Sequence, residues 1–166
     1  MGTELETLHE LVEAIEVAMM TTRRPDGRLE SRAMATQKRA DGADLWFVSA
    51  EDTNKIRDLR EDPRLNLSYY DNGSREWVSV SGTATLTKDE DKIRELYAAD
   101  WKLWFHDEGD PRHGTPNDPR LILIGVRIDA ASYLEVDKSR PVAFFEVAKS
   151  FVTGGTPELG ETHRIG

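Results

Sequence analysis

Three residues of this 166-residue chain are of types that, at their spacing, can hold an anion: Arg32, Ser49 and Lys55. Arg32 carries a permanent planar guanidinium fork suited to phosphate oxygens. Ser49 brings a hydroxyl to the end of an apolar run, Leu45-Trp46-Phe47-Val48-Ser49, and Lys55 follows six residues later. Lys55 falls in the first turn of a helical segment, where unpaired backbone N–H groups already favour negative charge. The chemistry that this set supports is the binding of a phosphate group. Taken singly, each cation has a plainer reading. Arg32 would be an edge-strand arginine paired with Glu30 or with water, and Lys55 a solvated helix lysine.

Those side chains meet only if the segments around them fold in a particular way. Leu29 to Thr36 alternates, so Glu30, Arg32 and Met34 share one face of a strand, and Pro25-Asp26-Gly27 turns it back onto Val17 to Thr22. An Asp41-Gly42 turn leads into Leu45 to Ser49, bulky on both faces, which suits a central strand of a closed barrel. A helix over Thr53 to Glu61 follows, capped by Asp52 or Thr53 and stopped by Pro63. Leu65 to Tyr70 and Trp77 to Leu86 form a hairpin about Asp71-Asn72-Gly73, and Leu121 to Arg127 and Ser132 to Val136 read as further strands.

Three more helices are expected. Leu8, Leu11, Val12 and Ile15 form one apolar stripe; Ile93, Leu96, Tyr97, Trp101 and Trp104 form another within Asp89 to Phe105. Phe144, Phe145, Ala148 and Phe151 form a third that starts at Pro141 and ends at Gly154-Gly155, before a polar tail. Trp101, Trp104 and Phe105 crowd a helix end beside the irregular loop 106–119, a composition typical of an interface or a stacking platform. The fold class is therefore mainly β: an antiparallel closed barrel with peripheral helices.

Composition narrows the function classes. The 22 Lys and Arg against 31 Asp and Glu leave a net charge of −9, which repels nucleic acid and anionic membranes. No cysteine is present, so disulfides, thiolate metal sites and thiol nucleophiles are excluded, and redox chemistry would need a cofactor. His9, His106, His113 and His163 sit near ends or in loops, giving histidine acid–base catalysis no evident seat. The His106 to His113 stretch, with Asp107, Glu108 and Asp110, matches no metal-ligand spacing and reads as a solvated loop. No apolar run approaches the ~18 residues needed to span a bilayer, so a soluble, cytoplasmic protein is expected.

The order SRAM at 31–34, LWFVS at 45–49 and DTNK at 52–55 resembles the FMN-binding split-barrel superfamily that includes pyridoxamine 5'-phosphate oxidases, and within it the general stress protein branch. Ala33 stands where proline is usual. The resemblance continues through WFHDEGDPRHGTPNDPRLILIGV at 104–126 and SYLEVD at 132–137. It implies one domain over 1–166, a six-stranded antiparallel Greek-key split barrel with 141–166 as a C-terminal helical or tail extension. It also implies a homodimer with FMN at the subunit boundary. Arg32, Ser49 and Lys55 would hold the phosphate, with Asn54 beside them. Ala33, Met34, Phe47 and Val48 would line the flavin ring, and Trp104 would come from the partner subunit. The tail His163-Arg164-Ile165-Gly166 does not reproduce the substrate motif of true pyridoxamine phosphate oxidases, so the resemblance implies a flavin-dependent oxidoreductase without naming its substrate. The alternatives are a split barrel using deazaflavin or haem, and a non-catalytic dimeric binding module.

Overall fold

The computed structural model describes residues 2–136 and 160–166. The chain opens with α1 (Gly2–Ile15), then β1 (Val17–Arg23), β2 (Leu29–Ala35), β3 (Leu45–Ala50) and α2 (Asn54–Glu61). It continues with β4 (Arg64–Tyr70), β5 (Trp77–Thr87), α3 (Glu90–Leu96), α4 (Trp101–Trp104), β6 (Leu121–Glu135) and β7 (Glu161–Ile165). All strand pairs are antiparallel, in the order β2-β1-β4-β5-β6-β3, with β7 also on β6.

Hydrophobic alternation accounts for this sheet. Ala18 and Met20 of β1, Leu65, Leu67 and Tyr69 of β4, and Val78 and Val80 of β5 all turn inward, against Leu8, Leu11 and Val12 of α1 and Ile56 and Leu59 of α2. A smaller apolar cluster joins Trp46 to Ile93, Leu96, Trp101, Phe105, Leu121 and Leu123 on the other side of β3 and β6. Burial on both sides is why β3 reads as a continuous apolar run. Its expected place as a central strand is corrected, however, because β3 ends the strand order.

The sheet is a split barrel. β2 and β3 lie at opposite ends of the strand order, and the main chain bridges them where the Gln37 N–H donates to the Trp46 carbonyl at 2.8 Å, just beyond β2. A seam flanked by two strand edges runs alongside.

Four expectations about elements are corrected. Leu121 to Glu135 is one strand and not two: β5 takes one edge along its length, while β3 and β7 share the other. The polar tail supplies β7, because the free edge of β6 pairs its backbone whatever its side chains, and His163 stacks on Tyr133 with ring centroids 4.9 Å apart. Among the described residues the sheet therefore has seven strands and not six. The helix expected over Asp89 to Phe105 breaks at Tyr97, whose hydroxyl donates to the Gly114 carbonyl at 2.8 Å and whose ring meets Trp101 edge-on. Tertiary contacts overrule the helical spacing there. The helix expected to start at Pro141 lies outside the described residues.

The pairing of β5 with β6 shifts register between Ser81 and Gly82, where Asp129 of β6 is passed over. A Cβ on Gly82 would sit 2.6 Å from Val126 Cγ1 and 2.8 Å from the Arg127 carbonyl oxygen. Gly82→Ala is therefore expected to destabilise by the ~1–3 kcal/mol typical of overpacking, each kcal/mol lowering Tm by roughly 2–4 °C at this size. Thermal denaturation alongside Gly2→Ala, whose added Cβ meets nothing, checks it.

Candidate functional site: a cationic pocket in the barrel seam

The seam between β2 and β3 holds a cavity of about 290 Å³. Arg32, Ala33, Met34 and Ala35 form one wall, Val48, Ser49 and Ala50 the other, with Thr53 and Lys55 at the start of α2 closing one end. Trp101, Trp104 and Phe105 of the α4 region cover it. Gln37 ties these parts together: its amide nitrogen donates to the Ala35 carbonyl at 3.0 Å, and its amide oxygen accepts from the Trp101 indole at 2.8 Å.

At the α2 end the polar groups converge. The Lys55 ammonium donates to Ser49 Oγ at 3.0 Å and to Thr53 Oγ1 at 3.4 Å, and the two hydroxyls are 3.2 Å apart. Thr53 occupies the position that caps α2, yet its hydroxyl donates to the Ala50 carbonyl at 2.9 Å and makes no capping bond. The expected side-chain cap is thus replaced by a turn contact, leaving the first amides of α2 without that partner.

Arg32 reaches the same cavity from β2, with its side chain only 18 % exposed. Burial lowers the Lys55 pKa below the ordinary lysine value, and the Arg32 charge lowers it further. Two cations thus repel one another across a pocket that contains two hydroxyls, and one terminal nitrogen of Arg32 is buried without a hydrogen-bond partner. An anion is the group that would relieve all of these at once.

A wider depression of about 700 Å³ lies between α1 and the β2–β3 loop, lined by His9, Arg39, Asp44 and Arg127 among others. Its guanidinium groups are already neutralised, Arg39 by Glu6 at 2.9 Å and Arg127 by Asp129 at 2.9 Å. Opposed charges that satisfy each other leave little to recognise a ligand, so the smaller cavity is the stronger site.

The seam brings together Arg32, Ala33, Met34, Val48, Ser49, Lys55 and Trp104 from among the expected residues. Phe47 and Asn54 do not line it. The Phe47 side chain is fully buried in the core, and because its strand neighbour Trp46 presents its carbonyl to the seam, Phe47 directs its own backbone toward β6. Asn54 instead accepts a hydrogen bond from Arg57 on the outer surface of α2. Trp104, expected from a partner subunit, lies at the rim of its own chain's cavity. The Arg32–Glu30 pairing foreseen as the plainer reading is also present, at 3.6 Å, so the two readings of Arg32 coexist. Thr53, Gln37 and Asp100 line the cavity without having been anticipated. Thr53 had a signal, a hydroxyl two residues before Lys55, but the capping reading absorbed it.

The fold and site are those of a split antiparallel barrel whose open seam presents two cations and two hydroxyls, chemistry suited to the anionic end of a small molecule. The chain belongs to the pyridoxamine 5'-phosphate oxidase like family, which it matches over residues 3–158. It is 35% identical over 165 residues to protein bli-3 of Neurospora crassa, a match spanning 98% of this chain and 79% of that protein. The fold is shared with a putative general stress protein 26 from Jannaschia sp. CCS1, at TM-score 0.70 and 21% identity over 96% of this chain and 98% of the other. It is also shared with a pyridoxamine 5'-phosphate oxidase-related, FMN binding protein from Nostoc punctiforme, at TM-score 0.60 and 16% identity over 99% and 94%. No helix among the described residues is long and apolar enough to cross a membrane.

Because the Lys55 charge is partly desolvated and faces Arg32, Lys55→Met should leave the melting temperature of the ligand-free protein unchanged or raise it by a few degrees. The native lysine releases its proton at lower pH than the unfolded one. Wild-type stability should therefore rise with pH between those two values, and the variant should lose that slope. Melting curves at a series of alkaline pH values check both. A drop of many degrees at neutral pH would make the Ser49 and Thr53 bonds structural.

Proposed function

We propose that the chain is a homodimeric FMN-binding flavoprotein that serves as a flavin-dependent oxidoreductase. The observation that carries this reading is the convergence of the Lys55 ammonium, two hydroxyls and an Arg32 nitrogen that is buried without a hydrogen-bond partner, a donor set suited to a phosphate monoester. The family assignment and the FMN-binding description of the Nostoc punctiforme protein support it. Arg32, Ser49, Thr53 and Lys55 would hold the phosphate. Ala33, Met34 and the seam-facing backbone of Val48 would flank a flat ring, since small side chains and an unpaired strand edge leave room and hydrogen-bonding groups for one. When bound, FMN would supply the electron-transfer chemistry, for which this cysteine-free chain has no thiol couple of its own. The chain's own part is to anchor the charged end, to orient the ring and, through Trp101 and Phe105, to keep water from one side of the cavity.

The dimer is supported by exposed apolar surface beside the cavity. Leu103 and Trp104 are each 75% exposed, and Val17 and Met19 lie on the open face of β1. A second subunit covering Trp104 would close the mouth of the cavity. Light scattering at micromolar concentration is expected to give the dimer mass, and Leu103→Glu with Trp104→Glu to shift it toward monomer with weaker FMN binding. A wild-type monomer that still holds FMN would remove the interfacial placement.

The phosphate assignment is tested by titrating FMN and riboflavin into flavin-free protein, followed by fluorescence. FMN should bind far more tightly. Lys55→Ala should cost FMN the ~1.5–3 kcal/mol of a charge-assisted contact, a loss of about 10- to 150-fold, with little change for riboflavin. Equal constants for the two ligands in the wild type would sink the assignment.

A further inference from the structure

Arg32 does not simply extend into the cavity; a line of buried polar groups behind it holds its guanidinium. Nη1 of Arg32 donates to Thr22 Oγ1 at 2.7 Å and to the Met20 carbonyl at 3.3 Å. Thr22, fully buried on β1, donates its hydroxyl proton to Asp58 Oδ2 at 2.9 Å. Asp58 is also buried, on α2, one helical turn beyond Lys55. A hydroxyl has one proton to give and a carboxylate can only accept, so Asp58 fixes the direction of the Thr22 O–H and leaves its lone pairs to Arg32. Nη2 of Arg32 lies 3.9 Å from Asp58 and 3.6 Å from Glu30, close enough for attraction but beyond a hydrogen bond.

A long arginine side chain at a strand edge ordinarily samples many rotamers and loses that freedom on binding. Here much of that freedom has been lost in advance, since one nitrogen is committed to β1. Burying a carboxylate to achieve this is costly unless it is well partnered, and its partners are Thr22 and the Arg32 charge. α2 therefore serves the cavity twice, directly through Lys55 and indirectly through Asp58.

We propose that Thr22 and Asp58 are positioning residues that aim the Arg32 guanidinium at a ligand phosphate and thereby set the preference for a phosphorylated flavin over the same flavin without its phosphate. This rests on the reading of the seam as an FMN site. Neither Thr22 nor Asp58 lines the cavity, so their effect on binding would run through Arg32. A merely structural role would instead disturb the cavity as a whole.

The two roles separate in the ratio of FMN to riboflavin affinity, measured by fluorescence titration of the flavin-free protein, with melting temperatures recorded in parallel. Thr22→Val is expected to lower FMN affinity by roughly 10-fold, the scale of one misdirected charge-assisted contact, and to leave riboflavin affinity unchanged. Thr22→Ser, which restores the hydroxyl, should return the wild-type ratio. In an Arg32→Ala background, Thr22→Val should have no further effect on that ratio. Asp58→Asn, isosteric and still able to accept the Thr22 proton, should lower FMN affinity by a smaller factor, and it carries the comparison if Thr22→Val melts below the assay temperature. Parallel losses of FMN and riboflavin affinity, failure of Thr22→Ser to restore the ratio, or an undiminished effect without Arg32 would each overturn the positioning role. A wild-type protein that does not prefer FMN would overturn the FMN reading itself, and the positioning role with it, before any variant is compared.

Discussion

The candidate site depends on two strand edges that do not pair along their length. β2 and β3 are the terminal strands of the sheet, and a barrel that closed fully would consume their backbone groups in one another. Instead the Gln37 to Trp46 bond pins the chain just beyond the seam, and the Gln37 side chain ties it to Trp101. An unpaired edge would ordinarily invite aggregation. Here α4 and the aromatic cluster cover it, and the space between becomes a cavity lined by backbone and small side chains.

The electrostatics of the cavity run against stability. A partly buried lysine faces a mostly buried arginine, and both charges carry desolvation costs that neither repays to the other. Several cations elsewhere are matched by a carboxylate in direct contact: Arg64 with Asp62, Arg112 with Asp110, Arg120 with Asp118. Asp118 shows how such a match works, since burial raises its pKa while hydrogen bonds from Arg120 and the Gly114 amide outweigh that and hold it at about 2. Lys55 has two hydroxyls where Asp118 has a guanidinium. A partly buried ammonium held by hydroxyls and not by a carboxylate keeps a desolvation cost that an anionic ligand would remove.

Much of this was legible in the sequence because residue type limits chemistry: Arg32, Ser49 and Lys55 are anion-binding types wherever they stand. What the sequence withheld was register and edge. Phe47 and Val48 are both apolar in one strand, and only the pairing of Phe47 with Ile124 decides which of them keeps its backbone for the seam. β7 was hidden because its polar residues pair through backbone, which has no sequence pattern. Asp58 was hidden for the opposite reason. A charged residue between Ile56 and Leu59 reads as solvated, and its burial follows from Thr22 arriving from another strand, 36 residues away in sequence.

Overall charge and local charge also act on different length scales. The excess of acidic residues repels an extended polyanion, whose many phosphates would meet that field over a wide surface. A single phosphate entering the seam is exposed to it only weakly, since exposed charges beyond about 8–10 Å are largely screened at physiological salt. Inside, it meets Arg32 and Lys55 at close range in a partly desolvated space where attraction is less screened. On the proposed reading the combination would admit a small ester carrying one phosphate and disfavour nucleic acid, although both present the same chemical group. Selection among phosphates would then rest on the size of the cavity and on how firmly its two cations are held, Arg32 by Thr22 in front of Asp58 and Lys55 by Ser49 and Thr53.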